Sequence, residues 1–220
     1  MEENQNLQEQ TKQKLIKSMT PRKAGQFLLL GLFWLLFCIP VVTIGGATCA
    51  VFYTGIKILN DQLDTSLWKA FIKGLKVNFK QGFLMSLLSA VTLGAAGFFD
   101  YWVVAKSSQG IILIIFAAGC SFSILIFNLF SYPIIARYEN TFGNALKNDI
   151  ALAFTFSKDT LKMTGLAVLE FAVIIFLGYL NIYAALAALL FWPSVIFYTV
   201  TWFMTSIFYR VENPVQYDDE

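Results

Sequence analysis

The stretch from Ala24 to Leu59 is apolar over about 36 residues and is interrupted at its centre by Ile39-Pro40-Val41-Val42-Thr43-Ile44-Gly45-Gly46-Ala47-Thr48. A segment in hydrocarbon must satisfy its own backbone hydrogen bonds. One proline and two glycines at mid-stretch therefore impose a kink or turn whose freed groups something else must cover. Each half would make roughly 20–24 Å of helix, short of a ~30 Å hydrocarbon core, so the pair reads as a shallow hairpin of two short spans or a re-entrant one.

The rest of the chain agrees with a bilayer as solvent. Hydrophobic residues are 57% and charged ones 14% of the 220 residues, against roughly 45–50% and 25% in soluble domains. With no histidine, the commonest metal ligand, general base and proton relay is missing. Cys38, Cys49 and Cys120 lie singly in apolar segments, without metal or redox spacing. Phosphate-binding glycine loops, G-x-S-x-G and H-E-x-x-H are absent. The expectation is a non-enzymatic protein with no catalytic residue, cofactor or metal, and no nucleic-acid partner.

Three regions follow in order: a polar N-terminal tail (1–20), one helical membrane domain (21–210) and an acidic C-terminal tail (211–220) expected to be disordered. The leader is long and polar and no A-x-A site follows, so it is not read as a cleaved signal peptide. Pro21 opens the first helix. Asp64 or Thr65 can cap an amphipathic helix to about Gln81. Its apolar stripe is Trp68, Phe71 or Ile72, Leu75 and Phe79; its basic stripe is Lys69, Lys73, Lys76 and Lys80. Such a helix lies in the membrane surface or meets a partner. Phe83 to Val104 reads as a span, with Ser86, Ala90 and Gly94 as a small-residue packing face beside Ser89 and Gly97. After Lys106 to Gly110, Ile111 to Ala136 returns. Phe142, Leu146, Ile150 and Phe154 mark a second surface helix. Ser157 is the expected cap of the next helix, and Gly165 to Tyr209 must hold two spans turning near Gly178 to Tyr183, with Pro193 kinking the last.

The predicted fold is thus all-α: about six transmembrane helices or half-helices plus two cytoplasmic amphipathic surface helices. With both termini inside, only Lys106 of the sixteen Lys and Arg falls outside, as the positive-inside rule asks.

Two stretches carry a resemblance. Leu32-Phe33-Trp34-Leu35-Leu36-Phe37-Cys38-Ile39-Pro40-Val41-Val42-Thr43-Ile44-Gly45-Gly46-Ala47-Thr48 is similar to the N-terminal signature of the YesL-like family of bacterial membrane proteins. Tyr132-Pro133-Ile134-Ile135-Ala136-Arg137-Tyr138-Glu139, followed by Leu146-Lys147-Asn148, resembles that family's central motif, with Leu67-Trp68 through Asn78-Phe79 between them. The resemblance implies a small polytopic protein of the bacterial cytoplasmic membrane, often encoded beside carbohydrate ABC importers, with no established activity or binding residues.

From this come two functional expectations. The first is an accessory or regulatory component associated with carbohydrate ABC import, touching the bilayer and a permease through Lys69, Lys73, Lys76 and Lys80 and the 137–164 loop. The alternative is a small-solute transporter with its path at the broken hairpin, where Pro40, Thr43, Gly45 and Thr48 expose backbone groups and Asn128 and Glu170 stand nearby. The competing local reading is a plain turn satisfied by threonine hydroxyls. Glu170 lies about six residues into its span, where ionisable groups are expensive; it either reaches for the interface or pairs with Arg137, for which Glu139 competes. Asn128 either packs or lines a solute path.

Overall fold

The computed structural model describes residues 20–105, 128, 130–138 and 141–213. Lys106, Cys120, Glu139, most of the expected span 111–136, the first 19 residues and 214–220 lie outside the described residues. The elements are α1 (Pro21–Phe37), a 3-10 turn (Val41–Thr43), α2 (Ile44–Leu59), α3 (Leu67–Ala105), α4 (Phe142–Thr155), α5 (Ser157–Leu180) and α6 (Ile182–Glu212). A helical stretch at 130–137 precedes α4. Among the described residues there is no strand.

Among the described residues, four helices are long and apolar enough to cross a membrane: Val41–Leu59, Leu67–Val103, Ser157–Leu180 and Ile182–Glu212. In α5 and α6, Ile175, Phe176, Leu186 and Leu190 are exposed. Each would cost roughly 1.5–3 kcal/mol to leave in water, so these faces suit hydrocarbon.

The interrupted stretch forms the centre of the bundle. Its second half is 67% buried, whereas the other three segments reach at most 29%. α2 packs on α1, α3 and α6, with Ala47, Ala50, Val51, Phe52, Ile56 and Ile58 buried on its faces. Small residues make this possible. A Cβ built on Gly45 would stand 1.9 Å from the Gly82 carbonyl oxygen and 2.9 Å from Ser86 Cβ, and one on Gly82 would stand 2.6 Å from the Gly45 carbonyl oxygen. The backbones of α2 and α3 therefore touch at Gly45–Gly82, closer than any side chain allows. Gly31 meets Ser194 in the same way where α1 crosses α6, at 2.1 Å from its hydroxyl oxygen.

The amphipathic helix to Gln81 and the span from Phe83 are one helix, α3, with 39 residues and a length of about 58 Å. Gly82 does not break it, because the bare backbone there is used for contact with α2. The expected surface helix is thus continuous with a span in one helix. Of its expected apolar stripe, Phe71 is buried and Ile72 and Leu75 pack against the core, while Trp68 and Phe79 are exposed; Ala70, Gly74, Asn78 and Gly82, four residues apart, are buried beside them. Ser86 joins the close contact, but no described atom lies within 4 Å of a Cβ on Gly94 or Gly97.

In α4 the expected apolar stripe, free to face either the bilayer or the bundle, is divided between the two. Phe142 and Leu146 are partly buried, whereas Ile150 is 53% and Phe154 79% exposed; Ala145 and Asp149 are the residues that turn inward. Ser157 is the first residue of α5, with Phe156 at the cap position. The hydroxyl of Thr160 bridges this junction, 3.0 Å from the carbonyls of Ala153 and Phe156. The expected turn near 178–183 falls at Asn181, whose side chain accepts from the Tyr183 N–H at 2.9 Å and caps α6. Pro193 sits inside α6, which continues through it. α6 runs to Glu212, so residues 211 and 212 of the expected tail are helical.

Candidate functional site

The broken hairpin closes its own hydrogen bonds. The Thr43 hydroxyl lies against the Phe37 carbonyl and 2.7 Å from that of Pro40, so it covers acceptors that the end of α1 leaves free. Pro40 is the extended residue before the 3-10 turn. Trp34 Nε1 donates to Thr48 Oγ1 at 2.9 Å, and the Thr48 hydroxyl donates to the Ile44 carbonyl at 2.8 Å. Gly45 is inside α2, engaged with Gly82. The turn thus satisfies itself through threonine hydroxyls, and of its four candidate residues Thr48 lines a cavity.

That cavity, about 610 Å³, lies between α2, α3, Asn128, Tyr132 and α6. Its volume is in the range of small-molecule sites, which are mainly apolar with a few placed polar groups. The polar groups here are Thr48, Ser86, Ser89, Asn128 and Tyr132, with Trp34 and Trp192 in the wall. Ser89 is buried, donates to Asn128 Oδ1 and stands 3.3 Å from the Tyr132 hydroxyl. Asn128 thereby joins α3 to the helix carrying residues 130–137 and also lines the cavity: the packing and lining readings meet in one side chain.

Glu170 is placed elsewhere. Its Oε1 accepts from the Thr199 hydroxyl at 2.8 Å, and Oε2 is buried with no hydrogen bond among the described residues. The expected Glu170–Arg137 pair is not formed. Arg137 makes a two-pronged pair with Glu212 at 2.9–3.1 Å, joined by the Tyr138 hydroxyl at 3.2 Å. A second pair, Asp159–Arg210, ties the start of α5 to the end of α6, with the Arg210 guanidinium 4.7 Å over the Phe156 ring. The sequence reading missed Glu212 because it assigned that residue to the tail.

Lys69, Lys73, Lys76 and Lys80 are all exposed, as expected, and none has an ion pair among the described residues. Beside them a shallow groove of about 450 Å³ is lined by Trp68, Lys69, Ile72, Lys73, Lys76 and Val77.

Asp149 escaped the sequence reading. It is fully buried on α4 and accepts a hydrogen bond from Ser131, while Oδ1 has no partner among the described residues. Burial pushes its carboxyl up to about 7, against the opposing pull of the Ser131 hydroxyl. Its place every fourth residue after Ala145 was the available signal, obscured by the stronger apolar repeat beside it.

These features define an all-helical protein with several helices suited to a membrane and no metal-binding cluster among the described residues. Residues 27–101, which take in the broken hairpin, α2 and most of α3, match the family described as Protein of unknown function, DUF624. The match bears out the YesL-like resemblance of the 32–48 and 67–79 stretches; the 132–148 motif lies beyond the matched residues. No curated protein and no solved structure matches the chain.

Proposed function

We propose that this is a non-enzymatic integral membrane protein of the bacterial cytoplasmic membrane, multi-pass with both termini cytoplasmic, acting as an accessory or regulatory component of carbohydrate ABC import. The family resemblance supplies the importer. The observation that supports a contact role is the unpaired lysine stripe beside the Trp68–Val77 groove. This helix of 39 residues is about 58 Å long, well beyond a ~30 Å hydrocarbon core. Lys69 stands about 16 Å from Lys80 along the axis, so the stripe reaches away from the bilayer toward a partner with acidic and apolar groups. The hairpin α1–α2 then enters from the same side and turns back beside Gly82, a re-entrant pair. The test is purification of tagged full-length protein from native membranes with quantitation of a sugar-importer permease. A fixed ratio, lost in Lys69→Glu/Lys73→Glu/Lys76→Glu, is expected; no permease with the unaltered protein overturns the role, and unchanged recovery with the triple variant overturns the groove.

A second reading has its own support. The cavity from Thr48 to Asn128 suits a small-solute transporter whose path runs beside the broken hairpin. A ligand there would raise stability by RT ln(1 + [L]/Kd). Solute-dependent thermal shifts abolished by Asn128→Leu, with flux in liposomes, are the expected results; flux unaffected by that change removes this reading.

A further inference from the structure

At the start of α1 two cavities adjoin, sharing Thr20 and Lys23. One, about 540 Å³, is lined by Arg22, Lys23, Gln26 and Asp61. The other, about 530 Å³, runs between α1 and α6 over Phe27, Leu28, Phe191 and Val195 to Tyr198. The first is polar and basic; the second is apolar and flanked by exposed Leu28, Phe191 and Val195. A polar chamber opening beside an apolar trough is the shape of an amphiphile.

The polar groups are placed for an anion. Lys23 is only 8% exposed, yet its ammonium reaches the rim, 3.4 Å from the Leu59 carbonyl and 2.9 Å from Asp61. An ammonium has three donors, which leaves one. Arg22 is exposed and has no ion pair among the described residues. Thr20 makes no side-chain cap bond. In the trough the Tyr198 hydroxyl is buried with no partner among the described residues, and its ring stands edge-on to Phe27 at 5.1 Å. An unpaired buried hydroxyl costs about 1–3 kcal/mol, which a ligand acceptor there would recover. Phe27 lies one turn, about 6 Å, beyond Lys23, comparable with the step from a lipid phosphate to its ester.

We infer that the two cavities form one site for an anionic phospholipid. The phosphate sits between Arg22, Lys23 and Gln26, one acyl chain lies along Phe27, Leu28, Phe191 and Val195, and an ester carbonyl accepts from Tyr198. Asp61 stays bound to Lys23 and sets the tilt of the ammonium, so Arg22 is the main source of charge selectivity.

The test is native mass spectrometry of the full-length protein released from detergent containing phosphatidylglycerol, phosphatidylcholine or diacylglycerol with the same chains. Phosphatidylglycerol is expected to be retained best, with retention falling about fivefold in Arg22→Gln, as for loss of one basic contact at a charged membrane surface. Tyr198→Phe and the trough-filling Val195→Trp should also reduce it, while Lys69→Gln should not. Equal retention of phosphatidylglycerol and diacylglycerol, or no change in Arg22→Gln, overturns the site. Displacement by millimolar glycerol phosphate overturns the lipid assignment and makes a soluble phosphate compound the ligand.

Discussion

Replacing Gly45 or Gly82 by alanine tests the close contact that places the hairpin. The added methyl at Gly45 would overlap backbone atoms, 1.9 Å from the Gly82 carbonyl oxygen and 2.5 Å from its carbon. At Gly82 it would stand 2.6–2.8 Å from the Gly45 carbonyl group and the Gly46 nitrogen. No rotamer change relieves a clash with backbone, so α2 and α3 must separate. Overpacking of this kind costs about 1–3 kcal/mol, offset by up to ~1 kcal/mol from the better helix propensity of alanine. An overlap with backbone belongs at the upper end of that cost, so the net loss expected is about 2 kcal/mol for each, or a few degrees in Tm at about 2–4 °C per kcal/mol for a chain of this size. Gly94→Ala and Gly97→Ala, with no described neighbour within 4 Å, keep the propensity gain without the clash. The double variant Gly45→Ala/Gly82→Ala should lose less than the sum of the singles, because separating the helices once relieves both overlaps. Thermal unfolding in one detergent, followed by tryptophan fluorescence, gives the ranking. Equal stability of Gly45→Ala and Gly94→Ala would refute the contact.

Asp149 should make stability depend on pH. Its folded-state value, near 7, is above the ordinary 3.8, so the stabilisation is fully present below pH ~4 and is lost as pH rises through ~7. Asp149→Asn, measured by thermal unfolding from pH 4 to 8, should flatten that decline; an unchanged slope would assign it to other groups. Arg137→Gln and Glu212→Gln should show a coupling of up to ~1 kcal/mol in a double-mutant cycle, small because the pair is partly exposed. The cycle of Arg137→Gln with Glu170→Gln should give none. Ser89→Ala and Asn128→Ala should each cost about 0.6–2 kcal/mol, and their combination little more than one of them, as for partners in a single bond.

Much of this architecture is readable from residue patterns. Apolar runs separated by polar turns locate the helices, and the turn at Asn181 falls where glycine, asparagine and tyrosine cluster between two runs. The lysine stripe is exposed because four cations at helical spacing have nowhere else to go. Thr43 and Thr48 take the local bonds expected of threonines beside a proline break. What escaped has a common cause. Gly82 looks like a helix boundary in isolation and is a helix interior only because Gly45 lies against it, a relation between residues 37 positions apart. Ala70, Gly74 and Asn78 form the buried stripe because closeness of approach selects small residues, while apolar patterning points to Trp68 and Phe79. Asp149 has only its spacing from Ala145 to mark it, and Glu212 stands in an acidic stretch; their partners, Ser131 and Arg137, come from another helix. For the cavity, Asn128 and the hairpin were legible as neighbours, but Ser89 and Tyr132 needed the packing to bring them in.

The continuous α3 is anchored along one half and open along the other. Ala70, Phe71, Gly74, Asn78, Gly82, Met85 and Ser89 are buried, while Leu87, Val91, Leu93 and Phe98 are exposed. A push on the lysine-bearing half is therefore borne first by its packing on α2, and the hairpin feels it before the far end of the helix does.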